Sequence, residues 1–142
     1  MKIIKSEMVD FPFVIEPSMT IEEAKIFMEQ QNLRHLPVVN KDNQLLGVIS
    51  ERDLLKANKS KDEINTVMTT HVFVAQENED IAKVVEVMAE EKYGSVMVVN
   101  AANELTGIFT TTDALNLLAK LLKEPRKENK LKVFTLLDLT RV

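Results

Sequence analysis

Gly47-Val48-Ile49-Ser50-Glu51-Arg52-Asp53 returns sixty residues later as Gly107-Ile108-Phe109-Thr110-Thr111-Thr112-Asp113. Each copy has a glycine, two apolar residues, a hydroxyl residue and an aspartate three places after that hydroxyl. The same offset lays Val38-Val39-Asn40 on Val98-Val99-Asn100. It also matches Met8, Phe13, Val14, Ile21, Met28, Asn43, Leu45 and Leu55 with Met68, Phe73, Val74, Ile81, Met88, Asn103, Leu105 and Leu115. No gap is needed from about Ser6 to Ala57. A constant offset over that length means two copies of one folding unit. Two like units pack about a pseudo-twofold axis, and the cleft between them is where a small ligand would sit.

Each copy reads as strand, helix, strand, strand, helix, which is a mixed α+β class. In the first, Phe13-Val14-Ile15 is a short strand broken by Pro17 and Ser18. Thr20, three residues before Glu23, suits a helix N-cap box. Ile21, Ala24, Phe27 and Met28 then line one helix face. Asn32 ends that helix. Leu36 to Val39 is a second strand, and Pro37 argues for an edge or a strand start. Asn40-Lys41-Asp42-Asn43 is turn chemistry, so Leu45 to Ile49 closes a hairpin. Ser50 opens a short helix through about Ala57. The second copy repeats these steps with Phe73-Val74-Ala75, a helix capped by Asp80, a hairpin across Asn100-Ala101-Ala102-Asn103, and a helix opened by Thr110 and ended by Pro125. The expected organisation is repeat one at 6–57, a polar linker at 58–65, repeat two at 66–122, and a tail at 126–142. Val133, Phe134, Leu136, Leu137, Leu139 and Val142 make that tail too apolar for water. Packing on the domain and contact with a second chain are both open for it.

The 142 residues suffice for one domain with a sizeable core. A net charge of −4 disfavours general nucleic-acid binding, which draws its affinity from a basic face. There is no cysteine, so disulfides, thiolate metal sites and cysteine nucleophiles are excluded. The N-terminus lacks the apolar run of a signal peptide, and no apolar stretch approaches the roughly 18 residues of a membrane span. A cytoplasmic location is expected. His35 and His71 are the only histidines and do not form a ligand cluster; with three glycines there is no phosphate-cradling loop. No catalytic or metal-binding set is expected, and the chain reads as a non-enzyme.

Two readings of the duplicated turn use the same atoms. Ser50-x-x-Asp53 and Thr110-x-x-Asp113 are sound capping boxes. They are also a nucleotide-binding set, with amides and a hydroxyl for phosphate and a carboxylate one turn in for a ribose diol.

Arg34-His35-Leu36-Pro37-Val38-Val39-Asn40 followed by Gly47 to Asp53 resembles a CBS domain (cystathionine β-synthase domain). Val98-Val99-Asn100 followed by Gly107 to Asp113 resembles a second, so that Ser6 to Leu122 resembles a tandem pair, the Bateman module. The resemblance implies two βαββα units facing each other, with two clefts that bind AMP, ADP, ATP, S-adenosylmethionine or NAD as ligands, not catalytic cofactors. It places ribose on Asp53 and Asp113, with Ser50, Arg52, Thr110 and Thr111 beside them. Adenine falls against Val14, Leu36, Val74 and Val96, with Thr69 as a polar contact. It places phosphate near Arg34 and His35. Repeat two departs here with Gly94 and Ser95, so the two clefts are expected to differ, the Arg34/His35 cleft preferring the more phosphorylated ligand. Each cleft is expected to mix the early strand of one repeat with the motif of the other. The function implied is a regulatory ligand sensor. It would form a homodimer through its helix faces and report to a protein effector. The alternative is a dimerisation module with vestigial pockets.

Overall fold

The computed structural model describes residues 1–57 and 59–125. A 3-10 turn at Ile4–Ser6 precedes β1 (Val9–Asp10), α1 (Ile21–Gln31), β2 (His35–Val39), β3 (Leu45–Ser50) and α2 (Glu51–Lys56). A second 3-10 turn at Ile64–Thr66 leads to β4 (Val74–Gln76), α3 (Ile81–Glu91), β5 (Ser95–Val99), β6 (Leu105–Thr110) and α4 (Thr111–Lys123). The mixed α+β repeat is therefore present twice.

The caps are those the sequence signals. Thr20 Oγ1 accepts from Glu23 N–H, and Asp80 accepts from Ala82 N–H. Asn32 ends α1 at φ 52, and Lys92 holds the equivalent left-handed position after α3 at φ 58. Asparagine tolerates that region readily; lysine does so at a steric cost.

β2 and β5 are buried on both faces, which sets the layering. Leu36, Val38 and Ile49 point toward α1 and α2 and join Ile15, Ile21, Ala24, Met28 and Leu54 in one core. Val96, Val98 and Phe109 do the same with Ala75, Ile81, Val84 and Met88. The opposite strand faces supply Val39, Val48, Met97, Leu105 and Ile108, a third core that joins the repeats. The hairpin turns meet there symmetrically: Leu45 N–H donates to Asn103 O at 3.4 Å, and Leu105 N–H donates to Asn43 O at 3.0 Å.

The lead-in segments are exchanged. Ile64, inside the expected polar linker, is fully buried in the core of repeat one. Ile4 is fully buried in the core of repeat two. Lys2 and Ile4 hydrogen-bond Ile81 and Glu79, while Asp62 and Ser60 hydrogen-bond Ile21 and Glu22. Burying an isoleucine contributes about 1.5–3 kcal/mol, so this linker is a structural part of repeat one.

The strands also differ from expectation. Phe13-Val14-Ile15 is reduced to one parallel bridge, Ile15 to Val38, whereas β4 pairs with β5 over three residues. Pro37 is the cause. In repeat two Met97 N–H donates to Phe73 O at 2.9 Å. Pro37 stands at the matching place with no N–H to give. It lies in the middle of β2, not at its start, and its pairing with Val48 is kept. The expected packing of the 126–142 tail lies outside the described residues.

Candidate functional site

The motif residues sit where a strand turns into a helix. Ser50 ends β3 in extended backbone and opens α2, and Thr110 does the same between β6 and α4. Asp53 N–H donates to Ser50 Oγ at 3.1 Å, and Ser50 N–H donates to Asp53 Oδ2 at 2.9 Å. In the second copy Asp113 N–H donates to Thr110 Oγ1 at 3.2 Å, and Thr110 N–H donates to Asp113 Oδ2 at 2.8 Å. Thr110 Oγ1 lies 2.9 Å from the same oxygen. Both are closed capping boxes, each satisfying two amides reciprocally.

Closure consumes most of the amides that the sequence offered for phosphate. Glu51 N–H donates to Arg34 O at 2.9 Å and Thr111 N–H to Gly94 O at 3.0 Å. The helix starts are thereby tied to the residues before β2 and β5. An anion near these turns depends mainly on side chains. What the capping leaves is one carboxylate oxygen on each aspartate. Asp113 Oδ1 has no hydrogen-bond partner among the described residues, and Asp53 Oδ1 has only Thr69 Oγ1 at 3.4 Å. Both aspartates are half-buried. A half-buried carboxylate with an uncommitted oxygen can accept a pair of hydroxyls.

Thr69 belongs to the segment that leads into repeat two, and it touches Asp53 of repeat one. It is held there by paired backbone bonds between Thr69 and Val48, each 2.9 Å. The matching residue on the other side is Val9, paired with Ile108. This counterpart was not singled out from the sequence, although the sixty-residue offset marks it. Gly47 and Gly107 make these crossings possible. A Cβ on Gly47 would stand 2.7 Å from Thr69 O, and one on Gly107 would strike the side chain of Met8.

His35 pairs with Ser50 across the hairpin, and Ser95 pairs with Thr110. The His35 ring reaches across to repeat two, where a Cβ on Gly94 would stand 2.8 Å from its Nε2. This contact too was missed; the sequence shows only that Gly94 replaces Arg34. Burial pushes the His35 pKa below its ordinary value, the Arg34 charge lowers it further, and Asp53 opposes both. Arg34 and Arg52 are exposed and form no ion pair among the described residues. Thr111 Oγ1 donates to Gly94 O at 3.3 Å. Val14 and Val74 present open surface, 39% and 37% exposed. Leu36 and Val96 are fully buried in the two cores. Among the described residues no three His, Asp or Glu cluster as metal ligands, and no helix is long and apolar enough to cross a membrane.

Comparison with known proteins agrees with this architecture. The family model for the CBS domain matches twice, at residues 4–60 and 63–120. A putative acetoin utilization protein from Vibrio cholerae has a similar structure, with a TM-score of 0.81 and 30% identity over 86% of this chain and 93% of that one. A CBS domain pair solved in complex with 5′-methylthioadenosine and S-adenosyl-L-methionine superposes with a TM-score of 0.79 and 28% identity, covering 85% of this chain and 98% of the other. Inosine-5′-monophosphate dehydrogenase of Thermoplasma acidophilum is 32% identical over 103 residues, which are 72% of this chain and 21% of that enzyme. The chain thus spans about a fifth of the length of that relative. With two family matches that together span most of its length, two exchanged lead-in segments and a capped aspartate in each half, the chain belongs to the CBS-domain family and carries the domain as a tandem pair.

Proposed function

We propose that this chain is a regulatory module that binds adenosyl compounds, AMP, ADP and ATP first among them and S-adenosylmethionine or NAD as further candidates. Asp53 and Asp113 hold the ribose hydroxyls, one in each cleft. The observation that carries this reading is the carboxylate oxygen that each capping box leaves out, without a partner among the described residues on Asp113 and with only Thr69 Oγ1 at 3.4 Å on Asp53. The ligands of the similar CBS pair, 5′-methylthioadenosine and S-adenosyl-L-methionine, support the class. Arg34, Arg52 and His35 stand beside Asp53 and suit a phosphorylated ligand there. Val14 and Val74 offer apolar surface for adenine, with Thr69 at the Asp53 side and Ser95 and Thr111 at the other.

The module works in the cytosol without chemistry of its own and reports occupancy to a protein effector. A ligand changes output only by binding one packing of the repeats, or of two chains, better than another. Leu115, Leu118 and Leu122 of α4 fall on one stripe and are half or more exposed, which supports a homodimer through helix faces. The same stripe favours the second reading, in which association is the function and the clefts are vestigial.

A thermal shift series with AMP, ATP, S-adenosylmethionine and NAD separates the two. Tight ligand raises the melting temperature by mass action. Asp113→Ala is expected to remove the shift that arises in its cleft. A flat response to all four ligands, together with a native mass spectrum free of bound nucleotide, leaves the association reading standing.

A further inference from the structure

Under the sixty-residue offset the two aspartates are alike and their borders are not. Arg34, His35, Glu51 and Arg52 surround the turn that carries Asp53; Gly94, Ser95, Thr111 and Thr112 take their places beside Asp113. Two guanidinium groups and an imidazole are thus exchanged for a hydrogen, a methylol and a threonine. The lead-in strand differs in the same sense. Thr69, which reaches Asp53, is matched by Val9, and His71 by Phe11. Val9 pairs with Ile108, two residues before Thr110, so an isopropyl group stands where the hydroxyl stands in the other site.

Phe11 is the most unusual residue of that lead-in segment. Its backbone has φ 49, a region that a bulky residue enters only at a cost. Its side chain is 96% exposed, so packing does not repay the cost. Val9, Phe13 and Val14 on the same segment are exposed as well. Val9 therefore sets an apolar group beside a carboxylate from which the arginines have gone. The one basic residue nearby in sequence, Lys92, closes α3. Burial and then Arg34 disfavour a charge on the His35 ring that reaches Gly94, with Asp53 opposing them. A phosphate here would meet the Asp113 charge without a matched cation, which is unfavourable at short range. A sulfur-bearing alkyl substituent would meet apolar side chains, with which polarisable sulfur packs well.

We propose that the Asp113 cleft takes an adenine nucleoside whose 5′ substituent is an uncharged thioether, while the Asp53 cleft takes the phosphorylated ligand. This rests on the ribose role of the two aspartates. The test is sequential calorimetry on the full chain, first with AMP to saturation and then with 5′-methylthioadenosine. A second isotherm is expected in the AMP-saturated protein, and Asp113→Asn is expected to abolish it. Val9→Thr, at an exposed position and checked by circular dichroism, is expected to weaken it about tenfold, the scale of a lost apolar contact. If AMP saturation blocks 5′-methylthioadenosine, or the second isotherm survives Asp113→Asn, the division of ligands is wrong while the ribose role stands. If wild-type protein binds neither compound, the ribose role fails first.

Discussion

Repeat one and repeat two share a plan and spend their polar groups differently. The Asp53 half has a proline in its central strand, a single bridge in place of a first strand, and arginines at its motif. The Asp113 half has Met97 in that strand, a full parallel pairing, and threonines at its motif. One N–H accounts for the first contrast: Met97 has it and Pro37 does not. The second contrast lies on the rim and changes no core residue, because Leu36/Val96, Val38/Val98 and Ile49/Phe109 pack alike in both. A duplicated fold can therefore keep its cores while its two rims diverge.

The exchanged lead-in segments allow the largest intervention. Ile4→Ala and Ile64→Ala each remove a fully buried side chain and are expected to cost about 2–5 kcal/mol in urea unfolding. Hydrogen exchange should show the Ile4 change loosening β5 and β6, and the Ile64 change loosening β2 and β3. Loss of protection on the opposite pattern would mean that the segments are not exchanged in solution.

The two motif glycines give a smaller and unequal pair. Gly47→Ala drives a Cβ against a backbone carbonyl, Thr69 O, which cannot step aside. We expect a loss of about 1–3 kcal/mol, the range for overpacking. Gly107→Ala meets the flexible side chain of Met8 and is expected to cost less. Equal losses in thermal melts would show that Met8 is as rigidly held as the carbonyl.

Pro37→Ala restores an N–H opposite Phe13 O. Its amide is expected to become protected from exchange, with a gain of about 0.5–1.5 kcal/mol from the bond, partly offset by the extra freedom of the unfolded chain. An unprotected amide at position 37 would mean that something besides the proline shortens the first strand.

The smallest effect is expected from pH. His35 has a lowered pKa in the folded state, so the unfolded chain binds the proton more readily. Its contribution is present above its unfolded pKa of about 6.5 and is lost as pH falls toward the folded value. Stability should decline on acidification through that window, and His35→Gln should flatten the decline. No counterpart is expected from position 95, where repeat two has serine.

Much of this was legible in the residues. The caps at Thr20, Ser50, Asp80 and Thr110 are bonds between groups two or three residues apart, and both helix faces and hairpin turns follow from local period and turn chemistry. The site was half legible. The pairs Ser50/Asp53 and Thr110/Asp113 sit at the helix starts as expected, but most of the amides expected to hold phosphate are spent on Arg34 O, Gly94 O and the capping side chains. Leu36 and Val96 were expected to face adenine and their side chains face the cores. Val9 and the His35–Gly94 contact were not found, because both depend on which parts of different repeats touch.

Residue order alone was enough to establish the duplication, the helix starts and the two sets of core positions, since each is a property of a few neighbouring residues or of a fixed offset. Only the tertiary structure decided that Ile4 serves repeat two and Ile64 repeat one. The two docking places are nearly equivalent in pattern, and the choice is made by connectivity and by the pairing of β1 with β6 and Thr69 with Val48. Contacts between distant segments leave no local trace, which is why the Val9–Ile108 pairing and the His35–Gly94 contact emerged only once the chain was folded.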